Sequence, residues 1–297
     1  MSAQPFRFTL ISPYPTLTAI VRTLAPAYRC EVVALQAVLD EAREVTRQAL
    51  KNSPDLFLSR GGTADYVRAM AGEVPVIALR TSALDLLAAL QPFRGHIGHA
   101  AFFNYGSHLC GVADIAQALD MRIDEYVFHS QEEMSSQLWV ARQHGTELIV
   151  GGQLTVRLAT RADLACVLLE TGEHSVHEML REAINVAEVR RTLAGRTARL
   201  QTVLDNIAEG VIVSDENDRV ETINRAAASL LNTPAEAAIG QPIAHIVPGT
   251  RAPTIRVKRT PEFGEVLDFG GRQLVANRVP ILTGARCLGV VCTFSEA

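Results

Sequence analysis

Eight short apolar runs punctuate the first 170 residues, at 6–11, 31–35, 55–58, 74–79, 96–102, 122–128, 147–150 and 164–169, each bounded by turn residues and separated by helix-compatible sequence. Strands that alternate with helices pair in parallel, because each parallel connection must cross over the sheet, and such sheets are covered on both faces. Four runs precede and four follow Gln91-Pro92-Phe93-Arg94-Gly95, where Pro and Gly interrupt the pattern after a helix at 82–90. The expectation is two Rossmann-like lobes, about 1–91 and 92–172, that form a ligand cleft. From Gly210 the texture changes to strand-like alternation at 211–214, 219–223, 266–269, 273–279 and 287–294, with a short helix at 224–231. That pattern predicts an antiparallel sheet with helices on one side. The fold class is therefore α/β, with a bilobal parallel-sheet domain over 1–195 and a smaller α+β domain over 196–297. A length of 297 residues accommodates both.

Between the two, Ser175 followed three residues later by Glu178 fits a helix start with a capping box. Apolar residues at Val176, Met179, Leu180, Ile184, Ala187, Val189, Leu193, Leu200, Val203 and Leu204 keep a helical spacing toward Ile207, weakened by Gly195. Two arrangements fit. Either a packing helix stops near Gly195 and another opens the next domain, or one continuous helix runs through and can dimerise.

Composition excludes several classes of function. The formal charge of −4 falls wholly within residues 1–195, and the remainder is neutral. A module that holds DNA by its phosphates shows a concentrated basic surface, and neither half has one. No apolar run is long enough to cross a bilayer, and the N-terminus lacks the basic start and apolar stretch of a signal peptide, so a cytoplasmic location is expected. The five cysteines are scattered without a CxxC pair and do not read as a disulfide framework. There is no dinucleotide-binding glycine fingerprint, no phosphate loop ending in lysine, no nucleophile elbow and no paired-histidine zinc motif. The chain is expected to be no enzyme and to hold no metal or cofactor, with His174 and His177 read as surface or capping residues.

In open parallel sheets ligands sit outside the carboxyl ends of the strands, so the loops after each strand carry the site. Ser59-Arg60-Gly61-Gly62-Thr63 leaves a buried strand and enters a helix. It gathers free backbone N–H groups, a positive helix end, a guanidinium and two hydroxyls, an arrangement suited to an anion. A charge-assisted hydrogen bond contributes about 1.5–3 kcal/mol, roughly a ten- to hundredfold change in affinity. Ser12 and Tyr14, Arg80 and Ser82, Asn104 and Tyr105, and Gly151, Gly152 and Thr155 occupy the corresponding loops. Each is a common strand-to-helix turn residue, and only their coincidence along one cleft points to a ligand.

The segments 55–64, Val74-Pro75-Val76, Leu84-Asp85-Leu86-Leu87 and 144–152 together resemble the N-terminal sensor domain of propionate catabolism regulators of the PrpR type, over roughly residues 5–192. The segments 204–215, Ile223-Asn224-Arg225-Ala226-Ala227 and 289–294 look like a PAS domain over about 197–295. The first resemblance implies two lobes that bind a small anionic effector, 2-methylcitrate or a related polycarboxylate. The second implies a coupling or dimerising module with an apolar core, in which Asn224 stabilises a turn; no cysteine motif of flavin light sensors is present, and His245 lacks a heme context. In regulators of this type an ATPase that acts on sigma-54 RNA polymerase and a helix-turn-helix follow, so DNA and polymerase are expected partners only through domains beyond Ala297. Readings from other classes stay open on the residues alone: a lyase or isomerase using Asp85 or Tyr105 as a base in the same cleft, or a scaffold that dimerises through the PAS module.

Overall fold

A computed structural model describes residues 4–296. In the first lobe β1 (Phe6–Ser12), β2 (Cys30–Gln36), β3 (Leu56–Arg60) and β4 (Val76–Leu79) form a parallel sheet in the order β2-β1-β3-β4. Period-two alternation sends Phe8, Leu10, Leu56 and Leu58 to one face and Ile11 and Phe57 to the other. The second face is covered by α2 (Glu41–Leu50) and α3 (Gly61–Met70) through Ala42, Ala49, Val67 and Ala71. The first is covered by α1 (Pro15–Leu24) and by the start of a distant helix contributing Val176, Met179, Leu180, Ala183 and Ala187.

The second lobe repeats the plan with β5 (His99–Tyr105), β6 (Arg122–Phe128), β7 (Leu148–Gly151) and β8 (Cys166–Leu168) in the order β6-β5-β7-β8. Its Ala101, Phe103 and Ile149 meet Met134, Leu138, Ala141 and Ala159 from α6 (Gln131–Gln143) and α7 (Gln153–Arg161). On the other face Ala100, Phe102, Leu148 and Val150 meet Leu86 and Leu90 of α4 (Ala83–Leu90) and Ile115 and Leu119 of α5 (Val112–Leu119). The lobes thus exchange helices. The expected break at 91–95 shifts to 80–82, because Leu86 and Leu90 bury against the second sheet and not the first. Burying such a side chain stabilises by about 1.5–3 kcal/mol, more than the Pro and Gly turn can offset.

The chain crosses between the lobes twice, and one carboxylate ties the crossings together. Ser82 caps α4 in a capping box with Asp85. Buried Asp85 accepts from the Ser82 N–H at 3.0 Å, the Gly172 N–H at 2.7 Å and the Ser175 hydroxyl at 2.7 Å. Ser175, expected as a helix cap, therefore belongs to this tie, and the helix starts two residues earlier. That helix, α8 (Glu173–Asp205), runs unbroken through Gly195. The chain divides into two compact units between Arg190 and Arg191, within α8.

In the second unit β9 (Gly210–Ser214), β10 (Val220–Ile223), β11 (Glu262–Phe269), β12 (Arg272–Thr283) and β13 (Arg286–Glu296) pair antiparallel in the order β10-β9-β13-β12-β11. The helices α9 (Arg225–Leu230), α10 (Ala235–Ala238), α11 (Ile243–Ile246) and α12 (Ala252–Lys258) share a core with this sheet. Fully buried Asn224 caps α9 by accepting from the Ala227 N–H at 2.8 Å and also accepts from the Val211 N–H at 2.8 Å. Its amide donates to the carbonyls of Leu204 at 2.8 Å and Glu209 at 2.9 Å, which fastens the last turn of α8 to the sheet. The expected apolar core also holds a charge: Arg278, at an inward position of β12, is fully buried.

Candidate ligand site

Each lobe has one topological switch point, where the strand order reverses: between β1 and β3 in the first and between β5 and β7 in the second. The loops diverging from such a point leave a crevice at the carboxyl ends of the strands. Ser12, Tyr14, Ser59, Arg60, Gly61, Gly62 and Thr63 lie at the first; Asn104, Tyr105, Gly151, Gly152 and Thr155 lie at the second. Arg80 and Ser82 sit instead on a crossing between lobes, Arg80 exposed and Ser82 engaged in the cap of α4.

Arg60 ends β3 and is buried at 8% exposure. Its Nη1 donates to the hydroxyls of Tyr14 and Thr171, which are themselves 2.8 Å apart, and its Cζ lies 5.6 Å from the centre of the Tyr14 ring. These partners are neutral. No carboxylate among the described residues pairs with Arg60, so a buried cation is positioned by hydroxyls and a π-face alone. Thr171, on the second crossing, was not singled out in the sequence; nothing in its local pattern marks it. Gly61 turns the chain into α3 with a φ of +53°, a left-handed conformation that glycine adopts freely.

The facing lobe comes close at Gly62. A Cβ there would stand 3.2 Å from Cε2 of Tyr105, whose hydroxyl donates to Asp65 of α3 at 2.6 Å. Burial and the Asp65 hydrogen bond push the Tyr105 phenol from 10 up to about 12. Such a phenol stays protonated and cannot serve as a base at neutral pH, and the Asp85 carboxylate is engaged by three donors of the chain itself. The two base candidates of the enzyme reading are thus occupied in structural roles.

The remaining residues shape the loops. Ser12 donates to the Tyr14 carbonyl at 2.7 Å, Ser59 to the Ile11 carbonyl at 2.9 Å, and Thr63 accepts from the Leu39 N–H at 3.4 Å. Asn104 donates to the Ser107 carbonyl at 2.7 Å. Gly152 is the N-cap of α7, and a Cβ on Gly151 would collide with the Thr155 side chain at 2.6 Å. The buried Thr155 hydroxyl has no hydrogen-bond partner among the described residues. Elsewhere His177 Nδ1 lies 2.5 Å from the Tyr28 hydroxyl, and no cluster among the described residues has the make-up of a metal site.

Comparison of the two units with known families identifies them as the sensory region of a regulator. Residues 27–192 match the family described as the propionate catabolism activator, and residues 198–297 match the PAS fold. The first match spans over half of the sequence, and the chain belongs to that family. The crystal structure of an NtrC family transcriptional regulator from Clostridium acetobutylicum shares the fold, with a TM-score of 0.55 at 23% identity over 63% of this chain and 100% of that one. A sensor protein CitS from Halalkalibacterium halodurans is 30% identical over 32% of this chain and 18% of its own length. A probable C4-dicarboxylate sensor kinase of the same organism is 29% identical over 30% and 17% respectively. The chain spans under a fifth of these two relatives. Among the described residues no helix is long and apolar enough to cross a membrane.

Proposed function

We propose that this sensory region binds a small anionic metabolite, 2-methylcitrate or a related polycarboxylate, between the two lobes, and works without catalysing a reaction. The observation that carries this reading is Arg60, a buried guanidinium at a switch point with only neutral partners. A carboxylate there would supply the missing counter-charge, and the Thr155 hydroxyl and the α7 N-terminus of the facing lobe offer further donors. The C4-dicarboxylate relative is in keeping with a carboxylate ligand. Binding would favour lobe closure, and α8, pinned at one end by Asp85 and at the other by Asn224, would carry the change to the PAS module. Turning a 1:99 switch into 99:1 requires about 5.5 kcal/mol of differential binding, within reach of several charge-assisted contacts but not of one. In a full-length regulator, which we place in the cytoplasm, the output would be a sigma-54-dependent ATPase and a DNA-reading domain, with two chains joined along α8 and PAS.

Calorimetry with 2-methylcitrate, citrate and succinate on wild type, Arg60→Lys and Arg60→Ala tests the site. The alanine variant should bind the best of these acids roughly ten- to a hundredfold more weakly, with lysine in between. Equal affinity across the three proteins would remove Arg60 from the site.

A further inference from the structure

The second lobe carries a large aromatic side chain on the outer side of a helix. Met134, Leu138 and Ala141 of α6 are buried against the sheet, whereas Trp139, the only tryptophan in the sequence, is 64% exposed. A surface indole leaves a broad apolar area in water, and tryptophan is enriched at the centres of protein interfaces.

Trp139 belongs to a stripe. Glu132, Ser135, Trp139 and Arg142 follow one another at intervals of three, four and three residues, so they line one side of α6, and all four are exposed. Glu132 and Arg142, at its two ends, have no side-chain partner among the described residues, whereas neighbouring Glu133 accepts from the His129 N–H at 2.8 Å. Ser135 and Ser136 donate their hydroxyls back to the carbonyls of Gln131 and Glu132 at 2.8 and 3.1 Å. With those hydroxyls satisfied inside the helix, the spot beside Trp139 is a shallow seat that an indole can cover without stranding a donor.

The stripe is complementary to itself when reversed. Glu132 and Arg142 lie five residues either side of Gln137, and Ser135 and Trp139 lie two residues either side. An antiparallel second copy, related by a two-fold axis at Gln137, therefore sets Trp139 on the other chain's Ser135 and Arg142 on its Glu132. In a two-fold contact each pair is made twice, so two indoles are covered and two unpaired carboxylates meet two unpaired guanidinium groups. An in-register parallel pairing would instead oppose like charges at both ends. We propose that α6 is a self-association surface, through which two copies of this chain pair antiparallel with Trp139 seated on Ser135. One helix pair buries less than the roughly 1,600 Å² of a standard interface, so the pairing is weak and forms only in concentrated solution. It does not depend on the cleft reading.

Trp139 reports its own burial, since no other tryptophan contributes to the emission. In the full wild-type chain the emission should move to shorter wavelength, and acrylamide quenching should fall, as protein concentration is raised. Glu132→Arg and Arg142→Glu each set like charges against one another, and should weaken the association about tenfold or more. Mixing these two variants restores opposite charges across the contact and should recover the blue shift, as should the chain that carries both substitutions. Because both positions are exposed, the variants keep the fold. An emission that stays that of an exposed indole at every concentration, a blue shift that either single reversal leaves intact, or no recovery on mixing overturns the proposal.

Discussion

Tyr105 joins the two lobes through one phenolic proton, and that proton sets a pH window. Its pKa is raised from 10 to about 12 by burial first and by Asp65 second. The folded state therefore holds the proton more tightly than the unfolded chain. The stability this adds is complete below pH 10 and is lost as pH climbs toward about 12. Subtracting the ultraviolet titration of Tyr105→Phe from that of wild type should isolate a phenol ionising near the top of that window, and one ionising at its ordinary value would contradict the Asp65 bond. At this scale the sequence was partly legible. Arg60 stood out because a guanidinium between a buried strand and two glycines is unusual chemistry, whereas Thr171 and Asp65 were invisible, since contacts across the lobes leave no periodic trace. Arg278 could have been found from parity: it shares its side of β12 with Leu274 and Ala276, which marks it as an inward charge.

At the scale of elements, α8 is two helices in function though one in structure. Its first turns are buried through Val176, Met179, Leu180, Ala183 and Ala187, while Val189, Leu193, Leu200 and Val203 beyond them stand exposed. These four recur at intervals of four, seven and three residues, the spacing of a coiled-coil seam. The double substitution Leu200→Glu with Val203→Glu should convert a dimer to a monomer in sedimentation velocity; a wild-type chain that sediments as a monomer would refute the seam. All the strands were readable, because alternation and short buried runs are local signals. The helices α10, α11 and α12 were not, since each is too short for a 3.6-residue period to declare itself. Continuity through Gly195 was undecidable from the pattern, because a glycine weakens a helix by only about 1 kcal/mol.

At the scale of the whole first unit, the tie between the two crossings rests on Asp85. Asp85→Ala removes the shared acceptor of Ser82, Gly172 and Ser175 and leaves buried donors unpaired, so it should lower stability by about 3 kcal/mol in urea unfolding. Asp85→Asn, which keeps the shape and part of the bonding, should lose less; a neutral alanine variant would show that the crossings are held by packing alone. The sequence placed both lobes but misallotted α4, because a helix's apolar stripe says that it must be covered and not which sheet covers it.

That exchange of helices has a consequence for dissection. The first lobe is not a continuous stretch of chain: it needs residues up to about 80 and the opening turns of α8, with the entire second lobe inserted between. A fragment cut at 91 would carry away Leu86 and Leu90 and expose Leu10 and Leu58, so neither piece would be whole. A single-chain version of the first lobe would instead require joining Arg80 to Glu173, and it is the inserted lobe, starting at Ser82, that could be lifted out or transplanted as one block.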